Sequence, residues 1–194
     1  LLRLVADTGC AAPRTLDLGC GDAVLGAAVR DAFPGARLVA VDDSAAMRER
    51  ASERLRGTDA VVLAADLADP GWRDALPERT FDAVVSGFAI HHLEDARKRA
   101  LYGEIFALLA PGGVFVNVEH VASASPRGEA FWEASWCEHA ARTTGERYAS
   151  VLAAFRSRPD RDANRLAPVE TQLGWLRESG FVDVDCYWKH FELA

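Results

Sequence analysis

Asp17, Gly19 and Gly21 stand in one short segment, Leu16-Asp17-Leu18-Gly19-Cys20-Gly21, where an apolar run passes into an amphipathic stretch. Glycines at that spacing make a turn free of side-chain bulk, so a ligand can lie directly on backbone amides at a helix N-terminus. Carboxylates recur downstream at Asp42-Asp43 and at Asp66, each just after an apolar run. An acid about twenty residues beyond such a turn can take both hydroxyls of a ribose, and a second can accept from an adenine amino group. Further along, His91-His92 and Glu119-His120 supply groups able to move a proton at neutral pH.

The charges in the turn narrow the ligand. A dinucleotide fold wants G-x-G-x-x-G, but here the third glycine, Gly26, comes late. Asp17 and Asp22 would also set negative charge beside a pyrophosphate. A ligand carrying a sulfonium and an ammonium suits the turn better, which leaves a nicotinamide oxidoreductase behind.

These residues need a scaffold, and the periodicity supplies one. Strands are predicted at 15–18, Arg37–Val41, Ala60–Ala64, Phe81–Ser86 and Val114–Val118. Helices are predicted over 22–33, from the N-cap Ser44 to about Arg56, and over Glu94–Leu109, with a short one at Pro70–Leu76. Pro111-Gly112-Gly113 marks the turn into the fifth strand. Strands alternating with crossover-length helices imply an α/β fold, a doubly wound, mainly parallel sheet with helices on both faces. After His120 the pattern changes: residues 126–157 carry Phe131, Trp132, Trp136, Tyr148 and Phe155 on helical stretches. A polar loop is expected at Arg156–Asp162, a helix at Pro168–Ser179 and a strand at Phe181–Trp188, with Phe191–Ala194 opening one more.

Taken in order, these motifs resemble the class I S-adenosylmethionine-dependent methyltransferases. The likeness runs from Leu16–Gly21 through Val39-Ala40-Val41-Asp42-Asp43-Ser44, Ala65-Asp66-Leu67 and Phe81–Ser86 to Leu109-Ala110-Pro111-Gly112-Gly113. The resemblance implies a Rossmann-like fold and S-adenosyl-L-methionine as cofactor, with S-adenosyl-L-homocysteine as product. It implies that Asp17, Gly19 and Gly21 surround the methionine part of the cofactor, and Cys20 sits in the same turn. Asp42, with Asp43 as its neighbour, matches the ribose-binding acid, and Met47 a position lying on the adenine. Asp66 and Leu67 match the adenine-edge pair, while Ser86, Gly87 and Phe88 match the segment beneath the methionine end. Ala23 departs from the family, where many members carry a third glycine; the replacement is harmless if φ is negative there.

Methyl transfer to a small-molecule acceptor by in-line displacement is the expected function. His91 and His120 are the candidate catalytic groups, and Glu119 and His120 candidates to touch substrate or cofactor. The Asn/Asp-Pro-Pro-Tyr tetrapeptide of many N-methyltransferases is absent, Ser86-Gly87-Phe88-Ala89 standing in its place. Residues 121–167 are expected to form a helical cap over substrate within one domain spanning 1–194. Two alternatives are an enzyme that modifies the cofactor, like the carboxy-S-adenosylmethionine synthases, and a non-catalytic S-adenosylmethionine-binding subunit. The formal charge of −7 argues against nucleic acid as a partner. No apolar run approaches the roughly 18 residues that cross a bilayer, and the first residues do not resemble a cleaved signal. Four cysteines without CxxC pairing fit reduced thiols in the cytoplasm. No ligand spacing supports a metal.

Overall fold

The computed structural model describes residues 1–158 and 163–194. Five parallel strands form one sheet in the order β3-β2-β1-β4-β5: β1 (Arg14–Leu18), β2 (Arg37–Asp42), β3 (Val61–Ala64), β4 (Phe81–Gly87) and β5 (Leu109–Val118). Between them run α2 (Val24–Ala32), α3 (Ala45–Arg54) and α4 (Asp95–Leu108), with a 3-10 turn at Trp72–Ala75. This is the doubly wound sheet expected from the alternation.

The two-residue period of the strands sorts their side chains by face. Leu16, Leu18, Val39, Val41 and Val84 pack with Leu101, Tyr102, Ile105 and Leu108 of α4. On the opposite face Leu38 and Ala40 meet Ala51 and Leu55 at α3, while Ala83 and Val85 meet Val29 of α2. Val5 of a short leading helix, α1 (Leu2–Asp7), joins this last group, an element the sequence pattern did not announce. β1 and β4 are therefore buried on both sides, and they are the strands that present Leu18 and Ser86 at one sheet edge.

Ser44 caps α3 as expected, its Oγ accepting from Met47 N–H at 3.4 Å. That bond is long, so Ser44→Ala is expected to lower unfolding stability by about 0.5–1 kcal/mol, read from the urea midpoint.

Several expectations need correction. Pro111-Gly112-Gly113 is not a turn ahead of the fifth strand but lies inside β5, where the ladder with β4 jumps from Phe81↔Leu109 to Ala83↔Val114. Gly112 absorbs the irregularity at φ 77°.

Phe181–Trp188 is not a strand. Phe181 packs on Phe106 and Phe115, but Asp183 turns the chain at φ 53°, and Val182, Tyr187 and Trp188 face outward. Alternating polarity makes a strand only when a neighbouring edge takes up the backbone bonds. The closing residues pair only through isolated bridges, His120↔Leu193 and His190↔Leu193.

Ala23 has φ 61°, in the left-handed region, so its departure from glycine is not free of strain. Its methyl is wholly buried among Leu38, Ala40 and Ala51, and that packing offsets the backbone cost.

Beyond β5 come α5 (Pro126–Thr144), α6 (Tyr148–Ser157) and α7 (Val169–Glu178). Arg156 and Ser157 close α6 rather than open a loop, Arg158 follows in extended conformation, and 159–162, the remainder of that expected polar run, lie outside the described residues. Among the described residues no helix is long and apolar enough to cross a membrane.

Candidate active site

The site begins where β1 ends. Asp17 is buried beneath the turn, and its Oδ2 accepts from Gly26 N–H at 2.8 Å. A Cβ on Gly26 would stand 2.9 Å from that oxygen, so the late third glycine lets the carboxylate reach the helix amide. Burial, with the nearby charges of Asp42 and Asp22, pushes the Asp17 carboxyl up to about 7 against the pull of the Gly26 amide.

Gly19 and Gly21 both have positive φ, 57° and 54°, but their surroundings differ. A Cβ on Gly19 would fall 2.3 Å from Ala89 Cβ, whereas one on Gly21 would meet nothing within 4 Å. The Gly21 side of the turn is the open one. Burial holds the Cys20 thiol far above its ordinary range, so it stays protonated and is no nucleophile. Asp22 pairs with Arg54, which neutralises it at the rim.

Asp42, at the end of β2, ties the turn to the neighbouring strand. Its Oδ2 accepts from Gly21 N–H at 2.8 Å and its Oδ1 from Ser44 N–H at 2.9 Å. Each carboxylate oxygen retains a second lone pair. Asp43 is exposed, and its backbone carbonyl accepts from Arg48. Met47 lies half-buried in the first turn of α3. Asp66 is exposed and its Oδ1 accepts from Ala68 N–H at 2.8 Å, while Leu67 sits in the main core, within reach of Gly19.

β4 and β5 bring the second half of the site. Ser86 Oγ donates to Leu18 O at 2.9 Å and locks the ends of β1 and β4 together. Gly87 is needed for clearance, because a Cβ there would be 2.8 Å from Leu25 Cδ1. Phe88 then turns at φ 53°, an unusual conformation for a bulky residue, with its N–H held by Val118 O at 2.9 Å. His91 follows in a 3-10 turn (Ile90–His92) with its Nδ1 2.5 Å from Glu119 Oε1. Glu119 Oε2 also accepts from His91 N–H, and Oε1 from His120 N–H. His120 Nε2 is 3.1 Å from Glu192, which in turn accepts from Ser123 Oγ.

Phe88, His91 and His120 line a cavity of about 570 Å³ whose other walls include Trp132, Trp136 and Phe155 of α5 and α6. Sequence reasoning did not find Glu192 or Ser123. Glu192 lies 72 residues beyond His120, and no local pattern marks it. Among the described residues no group of three or more His, Cys, Asp or Glu side chains could hold a metal ion.

A parallel sheet in this order, with its polar groups gathered at the carboxyl ends of the strands, defines a Rossmann-like ligand-binding domain. Residues 16–115 match the family described as Methyltransferase domain. The chain belongs to that family, as a class I S-adenosylmethionine-dependent methyltransferase whose cofactor is S-adenosylmethionine.

It is similar to an uncharacterized methyltransferase of Mycobacterium tuberculosis, 35% identical over 134 residues, covering 68% of this chain and 63% of that one. The chain thus spans somewhat less than two thirds of that relative's length. It is also similar to a demethylmenaquinone methyltransferase of Clavibacter sepedonicus, 30% identical over 93% of this chain and 72% of the relative. Among solved structures, an S-adenosylmethionine-dependent methyltransferase from Mesorhizobium loti shares the fold, with TM-score 0.61 and 23% identity over 93% of this chain and 79% of its own.

Proposed function

We propose that this chain transfers the methyl group of S-adenosylmethionine to a small molecule seated in the cavity under α5 and α6. The observation that carries the proposal is the junction at Ala89. Its Cβ touches the glycine turn, and its chain neighbours Phe88 and His91 line the cavity. The cradle and the chamber therefore share a wall.

The open face of Gly21 beside Asp42, with Asp17 beneath the turn, suits a cationic adenosyl ligand. On this reading Asp17, Gly19, Cys20 and Gly21 surround its methionine end, above Ser86, Gly87 and Phe88. Asp42 accepts from the ribose hydroxyls, with Asp43 at its side. Met47, Asp66 and Leu67 bound the adenine. The bound cofactor supplies an already activated methyl group, so the protein's work is alignment and exclusion of water. Residues 121–167, carrying Trp132 and Trp136, form the cover.

Asp42→Ala is expected to weaken S-adenosylmethionine binding by about 1.5–3 kcal/mol, roughly 10- to 150-fold, measured by titration calorimetry. Affinity within twofold of the parent chain would overturn the ribose assignment. S-adenosylhomocysteine accumulating with an acceptor supports methyl transfer; a carboxylated cofactor as product would favour the synthase alternative instead.

A further inference from the structure

We infer that the acceptor is an aromatic molecule bearing a hydroxyl group, and that His91, positioned by Glu119, removes the hydroxyl proton as the methyl group arrives. The inference rests on the methyl-transfer reading above and adds the acceptor's chemistry. Its basis is the buried His91–Glu119 pair at one end of a cavity walled by rings.

Glu119 is 3% exposed, and its carboxylate accepts from donors of the site itself: His91 Nδ1, His91 N–H and His120 N–H. A carboxylate bonded to Nδ1 keeps the proton on that nitrogen and leaves Nε2 with a lone pair. Among the described residues His91 Nε2 has no hydrogen-bond partner, whereas His120 Nε2 is engaged by Glu192. His120 keeps its Nδ1 open in the same way, but of the two histidines lining the cavity His91 forms the closer carboxylate pair, 2.5 Å against 3.1 Å, and the more deeply buried one.

A base of this kind serves a nucleophile that must lose a proton, and a hydroxyl is such a group at neutral pH. The walls give the remainder of the molecule. Trp136 and Phe155 lie 4.9 Å apart, and Phe88 and Trp132 complete a ring-lined chamber suited to a planar aromatic body.

The acceptor oxygen forms the new O–C bond as the S–C bond breaks, with the electron pair of the latter remaining on sulfur. The hydroxyl proton passes to His91 Nε2, leaving an imidazolium against the Glu119 carboxylate. Among the described residues the charged or titratable groups around that ring include Glu119 with Tyr102 near it, the His92 ring at 4.0 Å, the His120 ring at 5.9 Å with Glu192 behind it, Arg165, whose backbone N–H donates to His91 O, and Glu146 and Arg158 on the cavity walls.

The test uses the full chain with ¹⁵N-labelled histidine. Long-range proton–nitrogen NMR at pH 8 is expected to show His91 protonated at Nδ1. In Glu119→Leu that preference for Nδ1 should be lost, and Glu119→Asp should keep it, because a carboxylate acceptor is what holds the proton on that nitrogen. An Nε2-protonated ring in the parent chain overturns the pair whether or not the variants fold, as does an unchanged tautomer in a folded Glu119→Leu.

2-Naphthol, followed by tryptophan fluorescence with S-adenosylhomocysteine present, should bind at least tenfold more tightly than naphthalene. Equal binding of the two, or binding of neither, overturns the acceptor class. S-adenosylmethionine affinity, measured separately, shows whether the underlying reading has failed instead.

Discussion

Gly19→Ala is expected to lower unfolding stability by about 2–5 kcal/mol, from about 1–2 for a left-handed alanine and about 1–3 for the clash. The two parts are separable because their causes are distinct. The backbone part follows from φ 57° at this position; the clash follows from Ala89 Cβ, 2.3 Å from where the new methyl would stand. Adding Ala89→Gly should recover the clash part and leave the backbone part. Urea unfolding of the four chains of the cycle measures both. A double variant no more stable than Gly19→Ala would show that the turn and Ala89 do not meet.

The second large effect is a pH dependence centred on Asp17. Its folded pKa, about 7, lies above the unfolded value of 3.8, because burial disfavours the charged form. Between those values the unfolded chain sheds its proton while the folded chain keeps it. Asp17 therefore makes stability fall as pH rises from about 4 to about 7, by about 4 kcal/mol in all, and no further above that. Asp17→Asn keeps an oxygen for Gly26 N–H and removes the titration. Compared at pH 4.5 and pH 8, the parent chain should lose about 3–4 kcal/mol relative to the variant. A difference that does not change with pH would contradict the assigned burial of charge.

The glycine turn and the acids near the strand ends were legible because their signals are local. Asp17, Gly19 and Gly21 lie within five residues, Asp42 ends β2, and Asp66 comes two residues after the apolar run of β3. The observed bonds of Asp42 to Gly21 and Ser44 join pieces that the pattern had already placed at one edge.

What stayed hidden depends on distance along the chain or on backbone detail. His91 and Glu119 are 28 residues apart, and nothing in either neighbourhood signals that one carboxylate takes the ring and two backbone amides. Ala23 gives no hint of positive φ, since alanine is chosen there by the packing of its methyl. The apolar alternation of Phe181–Trp188 indicates a strand, but alternation records only which residues face inward and not whether the backbone pairs, and β5 ends the sheet without this segment.

The residues proposed to grip the donor fall mostly between 17 and 67, while the chamber is built from 88 to 193. On that reading the two duties are inherited as successive blocks of one polypeptide. The rear block can then drift, changing what is methylated, while the front block preserves the source of the methyl. The family match, confined to 16–115, falls chiefly on the block with the less freedom to vary.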